Sequence, residues 1–161
     1  MIAVETSDIT DRLVGITPAY LQTFLQRKLY GIEPSVQAGK VRDKRRLFSE
    51  ADVFGIALAW MLFESGLRTE PIRRIMNVLA GTTKANARIT AEKLLKSGAE
   101  YIVVLREPRK PKGRKEPEPK IYAVKKAVVS DLVSAHPAAN VLVVPIGAKF
   151  ADIKKLLELL Y

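Results

Sequence analysis

Gln22, Thr23, Gln26 and Arg27 lie close together, with Tyr20 just ahead of them. These side chains suit the reading of base edges. Gln bonds adenine bidentately, Thr meets the thymine methyl, and Arg forks onto guanine. Further along, Lys40, Arg42, Lys44, Arg45 and Arg46 stand against Asp43 alone, a net charge of +4 between Gly39 and Arg46. Cations at that density neutralise phosphates and release counterions. Phosphate contacts fix register and supply affinity, while base contacts discriminate between sequences. A solvated amphipathic helix would carry the same polar residues on its outer side, so the helix alone decides nothing. The succession of a readable helix, a cationic stretch and a core helix is what points to DNA.

Local signals state how these residues are to be positioned. Gly15-Ile16-Thr17-Pro18 is a turn, with Thr17 suited to N-cap a helix and Pro18 to be its first residue. Leu21, Phe24, Leu25 and Leu29 recur at helical spacing, which predicts a helix over 18–29 with Tyr20, Gln22, Thr23, Gln26 and Arg27 off its apolar face. Gly31 and Pro34 stop it. Ser7 and Asp8 cap a short preceding helix that ends at Gly15. Residues 35–48 read as a hairpin-like extension holding Gly39. Ser49 and Asp52 form a capping box for a helix over 50–64, whose Val53, Ile56, Ala57, Trp60, Met61 and Phe63 cover much of its circumference and mark it as a core helix. Thr69 is the expected cap of a helix ending at Gly81, and Thr83 or Lys84 the start of another ending at Gly98.

Beyond Gly98 the period changes. Tyr101–Leu105 and Ile121–Val124 are β-rich and expected to pair across a long loop. That loop belongs to Arg106–Lys120, which has seven cations against three glutamates, again +4, and four prolines. Residues 126–135 suit a helix, and Val141–Ile146 suits a buried strand. In the closing helix Phe150, Ile153, Leu157 and Leu160 follow a heptad and are expected to pack on that strand.

Several classes of function fall away. The 161 residues include no cysteine and one histidine, His136 beside Pro137, so neither a thiolate metal site nor a paired-histidine site is available. Glu116 and Glu118 sit among prolines with nothing to fix their geometry, and Ser130, Asp131 and Ser134 near His136 are too local to form a triad. No enzyme, cofactor or metal is expected. The longest apolar run, Val53 to Phe63, has eleven residues, against about 20 for a membrane span. With no basic-then-apolar start either, a cytoplasmic location without a membrane partner is the expectation.

The formal net charge is +10, and the two basic segments hold most of it, a pattern that favours polyanions. Here the residues resemble a known family. Gly15-Ile16-Thr17, then Leu21, Phe24, Leu29 and Pro34, are similar to the "G-V-S, L-R-Y-Y, G-L-x-P" run of MerR-type transcriptional regulators. Arg46 to Asp52 resembles that family's "R-x-Y-S-x-x-D" signature, and Gly66 to Ile72 its "G-hydrophobic-S-x-x-x-I" start of a fourth helix. The resemblance spans about residues 7–80. It implies a winged helix-turn-helix that binds double-stranded DNA as a homodimer and regulates transcription. Tyr20, Gln22 and Thr23 would then lie at the DNA-facing side of the second helix, and Arg42, Lys44, Arg45 and Arg46 in the wing.

The fold expected is α+β: a mainly α winged helix-turn-helix over 1–81, a connector helix over 82–98, and a small α+β accessory or dimerisation domain over 99–161. The DNA-binding set is Thr17, Tyr20, Gln22, Thr23, Gln26, Arg27, Lys40, Arg42, Lys44, Arg45 and Arg46. Two rivals share these residues: a winged-helix adaptor that docks a protein, and an RNA-associated protein that uses its basic loop.

Overall fold

The computed structural model describes residues 2–34, 36–38, 45–108 and 118–161. It is a mixed α+β fold with two three-stranded antiparallel sheets, as expected in outline. β1 (Val4–Glu5) runs into α1, a turn of α-helix over Thr6–Asp8 that continues as a π-helical segment, Ile9–Leu13, with Ile9 and Leu13 buried. Gly15 then takes a left-handed backbone (φ +75°), which glycine adopts without strain. The chain reverses there and enters α2 (Pro18–Gln26), which buries Leu21 and Phe24.

α2 is shorter than the spacing predicts. Instead of running to Leu29 it stops at Gln26, Lys28 turns left-handed, and a 3-10 turn follows over Leu29–Gly31. The cause is Tyr30. Its ring is buried edge-on to Phe24, with centroids 5.7 Å apart, and Tyr30 itself has φ +57°. Two left-handed non-glycine residues cost on the order of 1 kcal/mol or more each. Burying a ring of this size stabilises by roughly 1.5–3 kcal/mol, enough to offset much of that.

β2 (Val36–Ala38) pairs with β3 (Arg45–Phe48), and β1 pairs on β3's other side, Val4 opposite Phe48. Ser49 then caps α3 (Glu50–Glu64) in a complete capping box. The Asp52 amide donates to Ser49 Oγ at 3.2 Å, and the Ser49 amide donates to Asp52 Oδ2 at 2.8 Å. α3 is buried nearly all round, as expected of a core helix. α4 (Thr69–Ala80) turns Ile72, Ile75, Met76 and Ala80 inward. Its cap position is Arg68, not Thr69, which is already helical. α5 (Ala87–Ser97) starts later than Thr83 or Lys84, because the Asn86 side chain accepts the Ile89 amide at 3.0 Å and so sets the cap.

The segment expected as a connector is the closest partner of the core helix. A Cβ on Gly55 of α3 would lie 2.9 Å from the Arg88 amide nitrogen and 3.0 Å from the Ala87 carbonyl carbon. Backbone therefore meets backbone, and α5 buries Ala87, Thr90, Ala91 and Leu94 along that seam and against α4.

The second sheet has the order β5-β4-β6, from β4 (Tyr101–Arg106), β5 (Lys120–Val124) and β6 (Asn140–Pro145). β4 and β5 pair as the sequence suggests. The buried strand, however, is β4, whose Ile102 to Leu105 are all inside, whereas β6 is an edge that buries Val144 alone. An unbroken apolar run does not say which strand sits in the middle. β4 holds the centre because both its faces are covered, one by the core and the other by α6 (Lys126–Ala135).

α7 (Gly147–Leu160) buries Phe150, Ile153 and Leu157, while Leu160 stays partly exposed. Rather than lying on β6, as its heptad suggested, it packs on α3 and the π-helical segment, with Phe150 edge-on to Phe54 at 5.2 Å. Gly147 permits this departure from the sheet, since a Cβ there would come within 3.0 Å of Glu100 Cα. One contiguous buried cluster runs from Val4 to Leu157 and draws on both parts of the chain. Among the described residues no helix is long and apolar enough to cross a membrane.

Candidate nucleic-acid interface

α2 is held from below by Leu21 and Phe24, which leaves its other side to water. Gln22 and Gln26 are both exposed on that side, one helical turn apart, and Arg27 follows them, also exposed. Among the described residues Arg27 makes no ion pair, while its neighbour Lys28 is engaged with Glu33 at 3.1 Å. Thr17 is exposed at the N-cap. Its side chain makes no capping bond, although its backbone carbonyl accepts the Leu21 amide at 3.1 Å. Uncapped amides leave the first turn with partial positive charge.

Two members of the expected set are partly committed elsewhere. The Thr23 hydroxyl donates to the Ala19 carbonyl at 3.0 Å within the helix, and the residue is half-buried. Tyr20 lies on aromatic rings, 4.6 Å from Phe63 and 5.5 Å from Trp60 between centroids, and retains 40% exposure. The outer face is thus glutamine-rich at its middle, aromatic at one flank and cationic at its C-terminal end.

The cationic stretch is only partly within view. Arg45 and Arg46 stand on β3, opposite Ala38 and Gln37, and Arg46 is exposed. Lys40, Arg42 and Lys44 lie outside the described residues, as does Gly39. Of the second basic segment, Arg106 and Lys120 are exposed at the adjoining ends of β4 and β5, and residues 109–117, including Glu116, lie outside the described residues. His136 ends α6, its Nδ1–H donating to the Leu132 carbonyl at 3.0 Å.

The structure adds cations that sequence reasoning missed. A cleft of about 570 Å³ runs between the 3-10 turn, α4 and the loop before α5, lined by Lys28, Tyr30, Arg73, Arg74 and Lys84 among others. Arg73 is paired with Glu70 at 2.7 Å, whereas Arg74 and Lys84 make no ion pair among the described residues. Burial pushes the Tyr30 phenol above its ordinary pKa, against smaller opposing effects of a hydrogen bond with Thr69 and the charge of Arg73. Lys28, the adjacent Arg73 and Arg74, and Lys84 come from three separate segments, so nothing in their spacing along the chain announces that they share a cleft. No family model matches this chain, and no curated protein matches it.

Proposed function

We propose that this protein is a sequence-specific binder of double-stranded DNA that regulates transcription through a MerR-like winged helix-turn-helix, acting as a homodimer in the cytoplasm. One observation carries the proposal. Gln22 and Gln26 stand exposed one turn apart on a helix that follows a left-handed glycine turn, and their side-chain amides bond no described residue. Two such amides at that spacing are suited to adenine edges in a major groove. The α1–turn–α2 order and the small antiparallel sheet beside it support the reading, as does the exposed Arg46 on β3.

In this mechanism α2 enters the groove and the segment around residues 39–47 grips adjacent phosphates. Selection of binding sites from random duplex DNA, read at two salt concentrations, tests it. Recovery of a two-fold-related motif is the expected result, and random recovery would overturn it. Arg45→Ala should weaken all sequences alike and lower the salt slope by about 1. Gln22→Ala should relax the preference at one base position by about 1–3 kcal/mol.

The partly exposed Tyr20 on its aromatic bed favours a second reading, a protein-docking face, because interfaces are rich in such residues. A protein retained in high salt without DNA, and lost in a Tyr20→Ala variant, would support that reading instead.

A further inference from the structure

We infer that β6 is the contact between two copies of this chain, pairing antiparallel with its own copy to make one six-stranded sheet. Among the described residues β6 is an edge strand, with β4 on one side of it and no strand on the other. The Ile146 amide donates to the Glu100 carbonyl at 3.0 Å, in line with the register that sets Val144 opposite Ile102 and Leu142 opposite Val104. Because a strand's amides alternate in direction, the even-numbered residues of β6 bond inward to β4. Val141 and Val143 therefore aim their N–H and C=O groups outward. Pro145, which has no N–H to offer, also falls at an outward position, where it costs the sheet nothing.

Natural edges are usually blunted by charge. β5 follows that rule, with Lys120 on it and Lys125 and Lys126 at its end. β6 breaks it. Residues 132–148 contain no Asp, Glu, Lys or Arg, the longest such run in a chain of net charge +10. An acidic partner would be drawn to the basic segments instead. A second copy, itself strongly basic, meets least repulsion along this run. Val141 and Val143 are each 36% exposed, so there is apolar surface left to cover.

Antiparallel pairing is also self-complementary, which a two-fold interface requires. With the axis at Leu142, Val141 of one copy faces Val143 of the other, and both pairs exchange two backbone hydrogen bonds. Sliding the axis by one residue brings opposite Val141 or Val143 either Pro145, or Ala139, whose amide is already given to the His136 carbonyl. Each copy's Arg106 lies opposite its own Asn140, so the strand ends from which the two +4 segments leave fall at opposite ends of the joined sheet.

The proposal deepens the homodimer reading above, but its test needs no DNA. Sedimentation of the full chain at micromolar concentration should give twice the 17.9 kDa protomer mass. Hydrogen exchange should show the Val141 and Val143 amides as protected as those of Leu142 and Val144. Val141→Lys and Val143→Pro should yield monomers with unchanged circular dichroism, since neither alters an inward amide. The chain has no cysteine, so Leu142→Cys alone should oxidise to a covalent dimer, while Ser130→Cys on α6 should not. A monomeric wild type, rapid exchange at Val141 and Val143, or a dimer that survives both edge variants would each overturn the inference. A dimer that recovers no DNA motif would leave it standing and sink the regulator reading.

Discussion

α2 and α3 are neighbouring helices built under opposite constraints. α3 is apolar on nearly every side, and its one small gap, Gly55, is filled by the backbone of α5. α2 buries Leu21 and Phe24 and gives the rest of its circumference to Gln22, Gln26 and the partly exposed Tyr20. On α3, almost any change of side chain meets packed atoms. On α2, most outward changes meet only water, so the identity of those residues is free to be set by a partner. The comparison separates residues that make the fold from residues that use it.

The sharpest way to break this contrast is Gly55→Val. Its Cβ would stand 2.9–3.1 Å from backbone atoms of Ala87 and Arg88, so helix backbones must separate rather than side chains rotate. A loss of about 4 kcal/mol is expected in urea unfolding, at the upper end for overpacking. An effect under about 1 kcal/mol would show that the α3–α5 seam is looser than its geometry. Ser49→Ala removes the side-chain acceptor for the Asp52 amide and should cost about 1 kcal/mol by the same measurement.

Tyr30→Phe probes the end of α2 through pH. Burial holds the Tyr30 phenol's pKa above its ordinary value, near 10 in the unfolded chain. Above that pH the unfolded state releases this proton more readily than the folded state. Stability is thus intact below about pH 10 and declines as pH rises toward the folded-state value. The variant should flatten this decline in a series of alkaline melts. Smallest of all, Gln22→Ala and Gln26→Ala should change stability by no more than about 0.5 kcal/mol. A larger loss would move α2's outer face from the using to the making side of the comparison.

Much of this architecture was legible in the residues. The Ser49-Asp52 box, the all-round apolarity of α3 and the pairing of Tyr101–Leu105 with Ile121–Val124 are local signals, and each appears in the structure. What escaped was decided at a distance. α2 ends early because Tyr30 reaches Phe24. β6 is an edge because β4, equally apolar, is covered on both faces. α7 leaves the sheet for α3 because Phe150 meets Phe54. Of the candidate interface, the glutamines were legible from helical spacing alone, since Leu21 and Phe24 fix which side faces out. Arg74 and Lys84 were not, because the chain between them folds through a helix end and a loop before they line one cleft.

The Gly55 seam bears on how the molecule can be divided. A fragment ending at Gly81 would keep the helix-turn-helix order and all of α3, yet strip α5 from the face of α3 that admits its backbone at Gly55. That flank would face solvent and invite aggregation. Any transplant of the N-terminal half into another protein must therefore carry residues up to at least Ser97, and evolution shuffling this gene would meet the same boundary.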